Sequence, residues 1–200
     1  MPSTEKLCCI IISKMGKPVK RRRYANDATE SVGLLLRFRL PWLFIGVCLS
    51  LCTAVLIAHF EEILASDPRL VFFIPLIVYI SDSVGTQTAT IYIRNLGLKQ
   101  ARFRVYVIKE LLIGFCLGVV FGLFVGFIAH TWLHADQVAI VVGLAMWASV
   151  TTATVFSLVT TSIINKAGID PASGVDPIVS VFQDVISLTL YLTIASLIIF

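Results

Sequence analysis

Two carboxylates stand inside apolar runs of this sequence: Asp82 in YISDSVGTQTATIYIRNL and Asp184 in IVSVFQDVISLTL. Asp82, Thr86 and Thr90 recur at i, i+4 and i+8, and Ser180, Asp184 and Ser187 at i, i+4 and i+7, so each series lines one face of a helix. Ser83 and Gln87 add oxygens to the first series, and Asp176 precedes the second. Oxygen-only donors of this kind suit a hard cation such as magnesium or calcium. Magnesium gives up water reluctantly, so carboxylates and carbonyls often hold its hydration shell rather than the bare ion. Gly85, in the middle of the first series, permits close approach of another chain or a local break that frees backbone carbonyls.

The elements that carry these residues belong in a bilayer. The 200 residues are 58% hydrophobic and only 14% charged, against about a quarter charged in an ordinary soluble domain. Crossing a membrane takes about 20 mostly apolar residues in a helix. Five segments qualify, at 41–59, 70–94, 106–130, 138–165 and 177–200, the first opened by Pro41. Each intervening linker carries charge or Pro and Gly. The expected fold is therefore an all-α membrane protein, with a short basic arm over 1–39 and a five-helix transmembrane domain over 40–200.

Charge sets the expected orientation. Of the 16 basic residues, all but Arg69 fall in the arm, in the second-to-third linker with its flanks (Arg94, Lys99, Arg102, Arg104, Lys109), or at Lys166. Glu61, Glu62, Asp67 and Asp136 lie on the other side. Basic residues stay on the cytoplasmic side, which places the N-terminus in the cytoplasm and the C-terminus outside, in the cell membrane. At a rise of 1.5 Å per residue, Asp184 comes about 11 Å from the cytoplasmic edge, with Gln87 similar and Asp82 about 18 Å in. A charge at that depth normally faces a bundle interior or a wet cavity.

The remaining polar residues have simpler readings. Hydroxyls at Thr88, Ser149, Thr151, Thr152, Thr154 and the run Thr160 to Ser162 suit hydrogen bonds between neighbouring helices. Gly114, Gly118, Gly122 and Gly126 form a ladder at every fourth residue, a packing signal without chemistry. The cysteines (Cys8, Cys9, Cys48, Cys52, Cys116) show no zinc spacing, and His59, His130 and His134 gather at the outer edge. No nucleophile–base arrangement, phosphate loop or HExxH motif is present, so no enzyme and no cofactor is expected. No basic stripe interleaved with aromatics on a polar fold is present, so nucleic acid is not an expected partner.

At PLIVYISDSVGTQTATIYIRNL the sequence resembles the membrane domain of the MgtE-type magnesium transporters. The family's second helix carries a Gly-Asn-x-Gly-x-Gln element and then an arginine. Gly85, Gln87 and Arg94 match it, while Ser83 replaces the asparagine and Asp82 a glycine. VIKELLIGFCLG looks like the family's Lys-Glu start of the third helix, placing Glu110. GIDPASGVDPIVSVFQDVISLTLYL looks like its Asp-Pro linker and fifth helix, placing Asp184 on the pore aspartate. The resemblance, over about 36–200, implies a homodimer of five-helix subunits that conducts divalent cations into the cytoplasm along the second and fifth helices. The residues and the resemblance together give Asp184, Asp82, Ser83, Thr86, Gln87, Ser180, Glu110 and Asp176 as the expected metal-contacting set. Magnesium is the expected ion, with cobalt, manganese and zinc as other candidates, and lipid and a second copy are the expected neighbours. Residues 1–39 are too short for the family's cytosolic sensor domains, so closure by those domains is not expected. A proton- or sodium-coupled exchanger is the alternative, and a non-transporting scaffold is argued against by two intramembrane carboxylates.

Overall fold

The computed structural model describes residues 31–97, 103–166 and 176–199. They form α1 (Val32–His59), α2 (Glu61–Ser66), a 3-10 helix (Pro68–Phe73), α3 (Ile74–Gly97), α4 (Phe103–Leu133), α5 (Asp136–Lys166) and α6 (Asp176–Ile199). Five stretches are long and apolar enough to cross a membrane, at Val32–His59, Pro68–Leu96, Phe103–Leu133, Asp136–Lys166 and Val179–Ile199. That is the expected number and order. Cys8, Cys9, the run Lys20 to Arg23, Lys99, Arg102 and the side chain of Asp176 lie outside the described residues.

Two boundaries differ from the sequence reading. Pro41 sits inside α1 rather than at its start, and the helix runs back to Val32. An interior proline forfeits one backbone bond and crowds the carbonyl four residues earlier, a defect that membrane-crossing helices tolerate. The linker after α1 is also more ordered than its charges suggest. EEILAS forms α2 and buries Ile63. Pro68 disfavours a helical residue before it, and Asp67 is accordingly extended at φ −138° and ψ 92°. Asp67 then caps the 3-10 helix by accepting from Arg69 N–H at 3.1 Å, and its carboxylate takes Arg69 Nε and Nη2, each at 2.7 Å.

Contacts divide the chain between Phe38 and Arg39. In the unit from Arg39 onward, α5 is the central element. Val138, Val141, Val142, Met146, Val150 and Leu158 on it are fully buried, and the core continues through Leu70, Phe73 and Ile77 to Tyr191, Leu192 and Ala195 of α6. Tyr191 donates its hydroxyl to Leu70 O at 2.7 Å, joining α6 to the 3-10 helix. By contrast, Leu43, Val47, Leu51 and Val55 of α1 are exposed.

The glycine ladder does what its spacing predicts. α4 lies antiparallel on α5 with Gly114 against Thr151 and Thr154, Gly118 against Trp147, Gly122 against Gly143, and Gly126 against Ala139 and Gly143. A Cβ at Gly122 would stand 2.5 Å from Gly143 O, and one at Gly118 2.7 Å from Trp147 O. Only residues without a side chain let the two backbones come this close.

Candidate functional site

Register between helices decides which polar residues meet. Thr88 of α3 donates to Glu110 of α4 at 2.9 Å, and the rings of Tyr92 and Tyr106 lie 5.3 Å apart. These contacts make α3 antiparallel to α4 and hence parallel to α5. Gly85 faces α5, where an added Cβ would lie 2.5 Å from Ser157 Oγ and 3.6 Å from Ala153 O. One turn back along both helices, Ser81 and Asp82 come beside the turn of α5 around Ser149 and Ala153. On the same face of α5, where Ser149, Ala153 and Ser157 recur at i, i+4 and i+8, Ser149 Oγ reaches Ser187 O of α6 at 3.5 Å, one turn along α6 from Gln183 and Asp184.

Asp82 and Asp184 therefore stand at about one level on the neighbouring helices α3 and α6. Counting from span ends separates them by about 7 Å. Such a count treats Arg94 and Pro177 as lying in one plane, whereas α3 runs on to Gly97 and α6 starts at Asp176. Both carboxylates are partly covered rather than sealed.

Around the pair, Ser83 and Ser180 are partly buried, while Thr86, Gln87 and Thr90 are exposed along α3. Thr90 Oγ1 donates to Thr86 O at 2.8 Å, which satisfies its hydrogen within the helix and leaves its lone pairs outward. Among the described residues no three His, Cys, Asp or Glu side chains converge. Two carboxylates with hydroxyl and amide oxygens beside them suit a divalent cation gripped through its water shell.

Glu110 is not part of this gathering. It is 6% exposed, and its Oε2 accepts from Thr88, which is on the buried face of α3. Neighbouring Lys109 is exposed. The hydroxyls of α5 behave as packing groups. Thr151 donates to Trp147 O at 2.7 Å and lies 3.3 Å from Gly114 O, while Thr152 and Thr160 donate to Ala148 O and Phe156 O at 2.8 Å. Two of the three histidines lie around the turn between α4 and α5. His130 Nδ1 lies 2.8 Å from Asp136 Oδ1, and His134 takes a left-handed turn at φ 49° between α4 and α5.

Sequence reasoning passed over Gln183, just behind its aspartate, and did not set Ser81 apart from the polar run that follows it. Ser81 and Gln183 are 0% and 1% exposed, and Ser187, expected on the cation face with Asp184, is itself fully buried. Gln183 Nε2 donates to Ser187 Oγ at 3.3 Å. Among the described residues, Ser81 Oγ and Gln183 Oε1 have no hydrogen-bond partner. A buried polar atom left so costs about 1–3 kcal/mol. The available signal was position: each directly precedes a mid-span aspartate.

Comparison with known proteins places the chain in a family. The family model MgtE, described as a divalent cation transporter, matches residues 74–194, which takes in both aspartates. The chain is similar to the magnesium transporter MgtE of Enterococcus faecalis (31% identity over 162 residues, 80% of this chain and 36% of that protein). It is also similar to the proteins of that name from Thermus thermophilus (28%; 80% of this chain, 36% of that protein) and Bacillus subtilis (25%; 79% and 36%). The chain thus spans about a third of the length of these relatives. Five apolar helices long enough to cross a membrane and a family match over more than half of its residues make this chain an integral membrane protein of the MgtE divalent cation transporter family.

Proposed function

We propose that this chain carries divalent cations, magnesium foremost, across the membrane along a path walled by α3 and α6. The observation that carries the reading is the pairing of Asp82 and Asp184 at one level inside the spans. Two carboxylates in a membrane interior are costly to keep, and a hydrated divalent cation offsets the charge of both. Thr86, Gln87 and Thr90 continue the polar wall from Asp82 toward the basic end of α3. Their exposure argues against a lipid-facing position, because polar groups within spans turn to partners or water. A homodimer that encloses this wall between two copies, with the N-terminus in the cytoplasm of a cell-membrane protein, accounts for it.

The test is magnesium flux into liposomes holding the purified chain, with and without an imposed pH or sodium gradient. Uptake driven by the magnesium gradient alone is expected. Asp184→Asn, which keeps the side-chain shape and removes the charge, should abolish or strongly reduce that uptake while the protein stays folded. Full transport by a folded Asp184→Asn protein would remove Asp184 from the path. Flux that requires the second gradient would make the protein a coupled carrier.

A further inference from the structure

Of the three buried side-chain atoms without a hydrogen-bond partner among the described residues, two are Ser81 Oγ and Gln183 Oε1. They sit on the two helices that bear the aspartates, each one residue before its aspartate, and both beside the same turn of α5. Ser149 and Ser187, also fully buried, complete the cluster. Ser149 Oγ lies 3.5 Å from Ser187 O, and Gln183 Nε2 donates to Ser187 Oγ. The remaining capacities complement one another. Gln183 Oε1 can only accept, whereas a serine hydroxyl both donates and accepts.

We propose that Ser81, Ser149, Gln183 and Ser187 enclose an internal water site, and that the water bridging Ser81 to Gln183 fixes the spacing between Asp82 and Asp184. Water donates to the amide oxygen of Gln183 and meets the hydroxyl of Ser81 in either sense, so one molecule satisfies both orphaned atoms. Buried waters are held in this way, by several otherwise unpaired polar groups. A bare cation fits poorly, because the cluster is formally neutral and the Gln183 amide N–H lies within it. Ser81 and Gln183 are thus positioning residues. They do not touch the transported ion; through the bridge they set how far apart the two carboxylates stand around its hydration shell. The role rests on the proposed transport function, whereas the water site itself does not.

The experiment is a double-mutant cycle with Ser81→Ala and Gln183→Met in the full chain reconstituted in lipid, read two ways. Thermal stability reports the site without reference to transport. The magnesium concentration for half-maximal flux, separated from maximal flux, reports positioning. Each single variant is expected to raise the half-saturating concentration on the order of fivefold with little change in maximal flux. The double variant should be no worse than the poorer single one, since groups joined by one bridge couple strongly. Effects that multiply in both readouts would mean two independent groups and overturn the proposal. Coupling in stability with no change in half-saturation would leave the water site standing and overturn its positioning role. If wild-type protein carries no divalent cation, the transport reading fails while the stability cycle still decides the site. If a variant does not fold, a density map of the wild-type chain fine enough to show ordered water decides it. Density bridging Ser81 and Gln183 supports the proposal, and a direct contact or an empty space overturns it.

Discussion

Thr88 Oγ1 donates to Glu110 Oε2 across 2.9 Å, with both side chains buried between α3 and α4. A carboxylate placed there ties the two helices together and stands away from Asp82. Glu110→Ala should cost about 1–3 kcal/mol, because Thr88 then keeps a buried hydroxyl without a partner. Glu110→Gln retains an acceptor and should cost far less. Thermal unfolding in detergent measures both. Magnesium flux through folded Glu110→Gln should match wild type, and a clear loss would return Glu110 to the ion path.

A carboxylate that faces a divalent cation supplies a charged oxygen ligand that an amide does not. Asp82→Asn should therefore weaken divalent binding. Thr189→Ala should not, because the Thr189 hydroxyl is exposed and already donates to Val185 O. Titrating divalent binding in the three proteins checks this, and an unchanged affinity in Asp82→Asn would mean that Asp82 does not face the ion.

Glycine contacts grade the cost of an added methyl group. At Gly122 a Cβ meets the carbonyl oxygen of Gly143, which is backbone and cannot give way. At Gly85 it meets first the hydroxyl oxygen of Ser157. Gly122→Ala should therefore fall at or above the usual overpacking cost of about 1–3 kcal/mol, and Gly85→Ala below it. Ser157→Ala should rescue Gly85→Ala. Thermal midpoints of the two single variants and the double variant give the order.

Asp67 supplies a pH effect outside the membrane spans. Its hydrogen bonds from Arg69 hold the carboxyl below its usual range. A depressed folded value favours the folded state above the ordinary carboxylate range near pH ~4, and the benefit is lost as pH falls through the folded value. The effect is small, because solvent screens exposed pairs. Between neutral and strongly acid pH, the thermal midpoint of wild type should fall slightly more than that of Asp67→Asn.

Features that depend on one dimension of the chain were legible in the sequence. Apolar length gave the five spans, and spacing by four gave the glycine ladder. A carboxylate amid apolar residues marked both Asp82 and Asp184. What escaped depends on register between segments distant in sequence. Nothing local places Asp82 level with Asp184, which follows from Gly85 against Ser157 and from Ser149 against Ser187. Nothing local turns Ser187 into the core or gives Glu110 to Thr88. α2 was hidden because its charges read as a linker, while its stability comes from burying Ile63.

The tether between Tyr191 and Leu70 has a mechanical consequence. It is a buried 2.7 Å bond toward the C-terminal end of α6, whereas nearer mid-span Ser149 Oγ of α5 reaches Ser187 O of α6 at 3.5 Å. α4 and α5, locked backbone to backbone by glycines, form a stator. A tilt of α6 about Tyr191 would displace Asp184, two turns away, and would displace the end near Asp176 further still.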